Sequence, residues 1–264
     1  MPRHLTRHFY HHREITKVYG EFAKVYDGFM DNIPYEQWRD QITGILTKHG
    51  IDHGIVADLG CGTGKLTEML SRSGYDMIGI DCSEEMLQKA LERRDGTGSN
   101  ILYLCQDMRS FELYGTCAAI VSRCDSVNYL TSYEDLVACL KLVNNYLDPK
   151  GLFIFDVKTE FMYQELLGYN TFARNNDDGS YIWENAYDEK RRINQYLLTL
   201  YIREEDHYLR IEELHEQKAF TMEELQRAAT EAGLLWVSAI DSDTEGPVEP
   251  DTTRVLITLQ EQGK

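Results

Sequence analysis

The most informative part of this sequence reads Val56-Ala57-Asp58-Leu59-Gly60-Cys61-Gly62-Thr63-Gly64-Lys65-Leu66-Thr67. Its apolar start predicts the end of a buried strand, and its glycines predict a turn that leads into a helix near Thr63. Glycines at alternate positions can take positive φ and let a ligand approach the backbone closely. The free N–H groups at the start of the helix favour an anionic or zwitterionic ligand over this turn.

The spacing of these glycines does not fit two common nucleotide-binding motifs. The dinucleotide fingerprint G-x-G-x-x-G needs a glycine where the chain has Lys65. A P-loop that ends at this lysine needs a glycine at Leu59 and a hydroxyl residue at Leu66. What remains is D-x-G-x-G-x-G, with the acid on the strand. The alternative is a glycine-rich turn without a ligand, but turn geometry alone does not explain an acid together with three glycines.

This pattern resembles the first motif of the class I S-adenosylmethionine (SAM) dependent methyltransferases. The resemblance implies SAM as cofactor and S-adenosyl-L-homocysteine as its product. It also implies that Asp58 binds the ammonium of SAM, while the backbone around Gly60, Gly62 and Gly64 binds its carboxylate. Because the methyl group of a sulfonium is already activated, transfer by in-line displacement requires no metal, and we expect none.

Two further acids follow predicted strands. Asp81 and its neighbour Cys82 end the second strand, roughly 20 residues after the glycines, where an acid binds ribose hydroxyls in doubly wound folds. Ser83 is placed to cap the next helix, so capping does not explain Asp81. After the third strand, the resemblance implies that Asp107 binds the adenine amino group and that the backbone of Met108 meets the ring. A plain strand-ending turn is the alternative there.

The fourth predicted strand, residues 117–123, is followed by Cys124-Asp125-Ser126-Val127-Asn128-Tyr129. In the fold that this sequence resembles, the position of Cys124 faces the sulfonium and the methyl acceptor. The stretch is not the Asn-Pro-Pro-Tyr sequence of enzymes that methylate amino groups of nucleic-acid bases. This difference argues against base methylation.

The first 50 residues are predicted to hold a basic, His-rich arm over residues 1–17 and two helices. A loosely ordered tail, or a metal-binding or RNA-binding arm, would explain the first segment. The apolar spacing predicts helices over 15–30 and from Pro34 to near Gly50. In the family that this sequence resembles, such helices form a lid across the cofactor, which would place Tyr26 and Trp38 over SAM. The alternative is that both are core aromatics.

The remaining pattern predicts an α/β fold. Strands and helices alternate up to residue 158, which indicates a parallel sheet. Beyond it, three alternating segments at 181–187, 196–203 and 208–220 predict antiparallel strands. The resemblance implies a Rossmann-like, doubly wound seven-stranded sheet whose last strand is antiparallel, with an antiparallel β insertion after the fifth strand. We therefore divide the chain into four parts: 1–50, the arm and lid; 51–158, the SAM-binding core; 159–220, a substrate cap; and 221–264, the completion of the core.

Composition limits the partners of the chain. Its net charge of −17 disfavours a nucleic-acid partner, because phosphate binding relies on Lys and Arg. No apolar run reaches the ~20 residues of a membrane span, and the N-terminus lacks the apolar segment of a secretory signal. Six cysteines form no C-x-x-C pair, which is typical of reduced thiols in a cytoplasmic protein. We expect a monomer or homodimer.

These observations predict methyl transfer from SAM to a small-molecule acceptor. If the acceptor is protonated, a base is needed, and His215 is the candidate. Period-two alternation places Glu213 on the same face, where it could orient the imidazole, and Tyr181 or Trp183 could wall the pocket. A structural or surface His215 is the alternative. Two other functions remain open: an RNA or protein methyltransferase, and a SAM-binding protein without transferase activity. A third, a NAD-dependent oxidoreductase, is contradicted by Lys65.

Overall fold

The computed structural model describes residues 19–264 of the chain, and the predicted basic arm at 1–17 lies outside them. The described part contains eleven strands: β1 (Ile55–Leu59), β2 (Asp76–Asp81), β3 (Leu102–Cys105), β4 (Cys117–Ser122), β5 (Leu147–Lys158), β6 (Thr171–Asn176), β7 (Gly179–Asp188), β8 (Ile193–Glu204), β9 (His207–Lys218), β10 (Leu234–Asp241) and β11 (Arg254–Glu261). Its α-helices are α1 (Tyr26–Phe29), α2 (Tyr35–Lys48), α3 (Lys65–Arg72), α4 (Glu84–Thr97), α5 (Tyr133–Tyr146) and α6 (Met222–Glu231).

Seven strands form one mixed sheet in the order β10-β11-β5-β4-β1-β2-β3. Strands β1 to β5 are parallel to one another, and β11 pairs antiparallel with both β5 and β10. The predicted doubly wound sheet with an antiparallel last strand is therefore confirmed. Because β2 and β4 lie on opposite sides of β1, the strand order reverses at β1, and a crevice opens beyond the carboxyl ends of β1 and β4.

The central strands are mostly apolar because both faces of the sheet are covered. On one face, α2 and α3 pack Ile42 and Leu70 against Val56. On the other, α5 and α6 contribute Leu140 and Leu225 to a cluster that includes Phe153. Burial on both faces explains why β1, β4 and the second half of β5 read as nearly continuous apolar runs. Within residues 19–264, no helix is both long enough and apolar enough to cross a membrane.

The N-terminal segment differs from the predicted single helix over 15–30. Its described part forms a 3₁₀ turn at Glu21–Lys24 and the short helix α1. The backbone N–H groups of Tyr19 and Phe22 donate to the carboxylate of Glu213, at 2.9 and 3.3 Å. These donors bind the second sheet instead of helical carbonyls, so tertiary contacts override the helical pattern. The second predicted helix is present as α2, directly after Pro34.

The insertion contains four antiparallel strands, in the order β6-β7-β8-β9, whereas the sequence predicted three. The strand that the prediction missed is β6, which pairs with β7 at the edge of this sheet. Its residues are largely exposed and lack alternation, so no periodic signal marks it. The side chain of Asn176 closes the turn between β6 and β7, since its oxygen accepts the N–H groups of Asp178 and Gly179.

Asn128 joins the two sheets. Its amide donates to the carbonyls of Lys158 and Lys218, at 3.2 and 2.8 Å, and its oxygen accepts the N–H of Lys158 at 2.9 Å. These partners are the last residues of β5 and β9, and the Asn128 side chain is fully buried. A buried amide with these partners fixes where the insertion leaves and re-enters the core.

Replacing Asn128 should therefore destabilise the protein. Asn128→Ala removes three hydrogen bonds and leaves buried backbone groups unpaired, which we expect to lower the free energy of unfolding by about 2–4 kcal/mol. Asn145→Ala, at an exposed side chain on α5, is the control and should change it by less than about 0.5 kcal/mol. Urea denaturation of both variants measures the difference. Equal midpoints would contradict the role of Asn128 at the junction.

Candidate functional site

The glycine-rich turn lies at the carboxyl end of β1, at the reversal of the strand order. Gly60, Gly62 and Gly64 have φ of 72°, 55° and 73°, in the left-handed region that favours glycine. A Cβ at Gly60 would lie 2.5 Å from the hydroxyl oxygen of Ser126, and one at Gly64 would lie 2.3 Å from that of Tyr103. Gly60 and Gly64 therefore also provide room for the side chains packed against the turn.

Asp58 is a buried carboxyl group at the base of this turn. Its Oδ2 accepts a hydrogen bond from the Thr67 hydroxyl at 2.6 Å. Burial raises the pKa of Asp58 to about 7; the Thr67 hydrogen bond opposes this effect, and the nearby charge of Asp81 adds to it. A carboxyl group whose charged form is disfavoured by burial is a ready partner for a cation.

Asp81 ends β2 on the other side of the turn. Its carboxylate accepts the N–H of Gly62 at 2.8 Å and the N–H of Ser83 at 2.9 Å. Burial raises its pKa, while these backbone hydrogen bonds oppose the rise. Ser83 caps α4 through its hydroxyl, which accepts the N–H of Met86, as predicted. Because Ser83 provides the cap, the Asp81 carboxylate is not needed for capping and lines the cavity. Cys82, the next residue, lies at the cavity rim.

Asp107 follows β3 and is held by Arg109. The guanidinium donates to both carboxylate oxygens, with Nε at 2.9 and 3.1 Å. This side-chain hydrogen bond is the largest cause that lowers the pKa of Asp107. The pair fixes the carboxylate at the edge of the cavity beside Met108. Arg109 was not predicted, although its position two residues after Asp107 is a local signal.

The N-terminal helices cover the cavity. The hydroxyl of Tyr26 on α1 lies 3.9 Å from the sulfur of Cys124, which follows β4. Trp38 on α2 is buried and stacks against the guanidinium of Arg123, 4.7 Å from its ring centroid. Asp27 accepts a hydrogen bond from the Thr63 hydroxyl at 2.8 Å, so the covering segment is tied to the glycine turn itself.

Together these groups enclose a cavity of about 300 Å³. The lining includes ten of the eleven residues predicted to bind the cofactor: Tyr26, Trp38, Asp58, Gly60, Gly62, Asp81, Cys82, Asp107, Met108 and Cys124. In the described part of the chain, Gly64, His215, Tyr181 and Trp183 do not line it. Lining residues that the sequence did not single out include Tyr19, Tyr35, Lys65, Arg123 and Tyr129.

His215 is buried in the insertion, directly behind Tyr129. Its Nδ1 lies 2.9 Å from the Tyr129 hydroxyl, and its Nε2 lies 3.2 Å from a carboxylate oxygen of Glu213. The ring of Tyr196 stacks on the imidazole with centroids 4.5 Å apart. Glu213 thus contacts the imidazole as predicted from their alternation, but Tyr129 separates His215 from the cavity.

Comparison with known proteins identifies the family. The chain is 36% identical over 233 residues to "Putative methyltransferase YqeM" of Bacillus subtilis, covering 86% of this chain and 92% of that protein. The chain belongs to the class I SAM-dependent methyltransferases. The family model described as a methyltransferase domain matches residues 56–151. The crystal structure of an S-adenosylmethionine-dependent methyltransferase from Clostridium acetobutylicum superposes with a TM-score of 0.84 at 28% identity, covering 94% of this chain and all of that one.

A more distant relative has a named substrate. The dTDP-3-amino-3,4,6-trideoxy-alpha-D-glucopyranose N,N-dimethyltransferase of Streptomyces venezuelae is 31% identical over 140 residues, which cover 52% of this chain and 56% of that protein. Membership in the methyltransferase family makes SAM the cofactor, and the cavity fits it. The buried carboxyl group of Asp58 lines the cavity, where a bound ammonium would favour the charged form that burial disfavours. Apolar side chains such as Met108 and Leu130 can contact a ring.

The raised pKa of Asp58 predicts how the stability of the methyltransferase without cofactor depends on pH. A folded-state pKa of about 7 exceeds the ordinary aspartate value, so its contribution to stability is fully present at about pH 4 and is lost as pH rises through 7. The loss is on the order of 3–4 kcal/mol. Asp58→Asn cannot ionise and should be more stable than the wild type above pH 7. Urea unfolding from pH 5 to 8 measures the difference in free energy of unfolding between Asp58→Asn and the wild type. A difference that stays constant with pH would contradict the raised pKa of Asp58.

Proposed function

We propose that this methyltransferase transfers a methyl group from SAM to a small-molecule acceptor by in-line displacement, without a metal. The observation that carries the proposal is the cavity at the strand reversal, which combines the glycine turn with Asp58, Asp81 and Asp107. Its volume of about 300 Å³ lies at the small end of the range for metabolite sites. SAM, when bound, supplies the activated methyl group on its sulfonium.

Each carboxylate takes one part of the cofactor in this proposal. Asp58 binds the ammonium, because a neighbouring cation stabilises the charged form of the carboxylate that burial destabilises. Asp81 accepts the two ribose hydroxyl hydrogens, with its remaining lone pairs fixed by Gly62 and Ser83. Asp107 accepts the adenine amino hydrogen beside Met108. Tyr26 and Trp38 exclude water from above, and Cys124 borders the transferred methyl group.

The nature of the acceptor rests on the surroundings of the cavity. The second sheet carries exposed acids on its turns, including Asp177, Asp178, Asp188, Glu205 and Asp206. Each approaching phosphate would be repelled by these acids and by the net charge of −17. The aminosugar methyltransferase relative supports an acceptor of metabolite size. An RNA or protein acceptor is the second candidate, and a protein that binds SAM without transferring methyl is the third.

The role of Asp81 can be tested by its substitution. Asp81→Ala should weaken SAM binding at least about tenfold, because two charge-assisted hydrogen bonds of ~1.5–3 kcal/mol each are lost. Asp76→Ala is the matched control, since Asp76 is the exposed first residue of the same strand. Isothermal calorimetry gives both dissociation constants, and circular dichroism checks that the folds are equal. Unchanged affinity in a folded Asp81→Ala protein would remove the ribose assignment.

The acceptor class can be tested with SAM labelled in its methyl group. We expect label to enter the small-molecule filtrate of a bacterial extract, not the RNA or protein fractions. RNA binding should be no tighter than ~10⁻⁴–10⁻⁶ M at physiological salt, in the full chain and in a variant that lacks residues 1–17. The Asp81→Ala variant is the control for labelling that depends on this site. Label in RNA or protein would favour the second candidate, and intact SAM binding without label in any fraction would favour the third.

A further inference from the structure

A chain of hydrogen-bonded side chains leads from the cavity into the second sheet. Tyr19 and Tyr129 both line the cavity, and their hydroxyl oxygens lie 2.6 Å apart. The Tyr129 hydroxyl lies 2.9 Å from Nδ1 of His215, whose Nε2 lies 3.2 Å from Oε2 of Glu213. His215 and Glu213 are almost completely buried. The chain is therefore open to a ligand at its tyrosine end and closed at its carboxylate end.

The partners of Glu213 determine which group donates each hydrogen bond along this chain of side chains. Its oxygens accept the N–H groups of Tyr19 and Phe22, so the carboxylate acts as an acceptor throughout. The hydrogen bond to His215 must then be donated by Nε2, which leaves Nδ1 of a neutral imidazole as an acceptor. Tyr129 must donate to that nitrogen, and its oxygen accepts from the Tyr19 hydroxyl. The lone pairs of the Tyr19 oxygen remain for a donor in the cavity.

We propose that Tyr19, Tyr129, His215 and Glu213 form a relay that removes a proton from the methyl acceptor. This inference rests on the proposed function and narrows it: the acceptor is an amine or a hydroxyl compound, whose nucleophilic atom has a proton to lose. Tyr19 is the residue that touches the acceptor. Glu213 is a positioning residue, since it holds the tautomer and the orientation of His215.

The step balances as follows. The bond between the acceptor nitrogen or oxygen and the methyl carbon forms while the carbon–sulfur bond breaks, and its electron pair stays on sulfur. The acceptor proton passes to the Tyr19 oxygen, the Tyr19 proton passes to Tyr129, and the Tyr129 proton passes to Nδ1 of His215. The relay ends as an imidazolium ion beside the Glu213 carboxylate, which stabilises it, and both tyrosines are neutral again.

Burial supports transfer through neutral tyrosines. It raises the pKa of Tyr19 well above its ordinary value, and the nearby Tyr196 adds to this effect. Burial likewise raises the pKa of Tyr129, with Tyr19 as the next cause. A buried tyrosine that resists ionisation cannot store the negative charge, so it must pass a proton on as it receives one. His215 is the group along the chain that can keep the proton.

Tyr196 provides a matched control for the relay. Its hydroxyl lies 2.5 Å from that of Tyr129, and its ring stacks on His215, but it does not line the cavity described above. Tyr196→Phe therefore removes a hydrogen bond to Tyr129 without breaking the path. Tyr19→Phe and Tyr129→Phe each remove one hydroxyl from the path and keep the ring that packs there.

The relay predicts a rate effect and its dependence on pH. With labelled SAM and the small-molecule filtrate as acceptor, Tyr19→Phe and Tyr129→Phe should lower the initial rate of label transfer on the order of 10²–10⁴-fold, and Tyr196→Phe should leave that rate within the same order of magnitude. SAM affinity should be unchanged in all three. The deficit should shrink at high pH, where solvent deprotonates the acceptor. Label transfer that Tyr129→Phe leaves intact would overturn the relay while preserving the proposed function.

A second measurement decides the relay without any acceptor. Nitrogen-15 NMR of labelled histidine in the complex with S-adenosyl-L-homocysteine should show His215 neutral at pH 8, with the proton on Nε2 and a hydrogen-bonded, bare Nδ1. Tyr129→Phe should shift the Nδ1 resonance strongly, and Tyr196→Phe should shift it little. A proton on Nδ1, or a doubly protonated ring at that pH, would overturn the relay, because no site would be left for the acceptor proton.

Discussion

The site depends on a buried carboxylate, Asp125, that is held by opposite charges. Its oxygens accept hydrogen bonds from Arg254 at 2.8 Å and Gln217 at 2.7 Å, and Lys158 lies 2.9 Å away. Burial alone would raise the pKa of Asp125, but the positive charges of Lys158 and Arg254 outweigh it and lower the pKa. These partners lie on β5, β9 and β11. One side chain therefore fixes the end of β4 against both sheets.

This anchoring allows an unfavourable backbone conformation at Cys124 and Asp125, in the turn after β4. Cys124 and Asp125 have φ of 61° and 55°, which side chains other than glycine seldom adopt. The cost is of order 1–3 kcal/mol per residue, and the ion pairs and the bond from the Asp125 N–H to Asp156 offset it. The turn brings Cys124 under Tyr26 and lets Tyr129 reach both the cavity and His215. The N-terminal segment that covers the cavity, residues 19–29, is held at two points: Asp27 accepts a hydrogen bond from Thr63, and the N–H of Tyr19 donates to Glu213.

The sequence was most reliable where local chemistry and tertiary structure require the same thing. Asp58, the glycine turn, Asp81 and the Ser83 cap are close in sequence, and each lies at or beside the end of its own strand. The prediction was weaker where partners are distant in sequence. Edge strand β6 has no alternation because it is exposed. The helix predicted over 15–30 is not continuous in its described part, from Tyr19 onward, where Glu213 binds the N–H groups of Tyr19 and Phe22. Tyr19 and Arg123 line the cavity, but no sequence motif indicated either residue.

The residue pattern by itself determined the alternating strands and helices of a parallel sheet and the carboxylates at the strand ends, and the resemblance to the methyltransferases added the cofactor and the antiparallel last strand. Periodicity and strand-end chemistry are properties of neighbouring residues, so they can be read locally. Only the tertiary structure decided that His215 contacts Tyr129 instead of the cavity, and that Asp125 joins three strands. The contacts of His215 with Tyr129, and of Asp125 with Gln217 and Arg254, link residues 86 to 129 positions apart. Their energies depend on burial and mutual orientation, which no local pattern encodes.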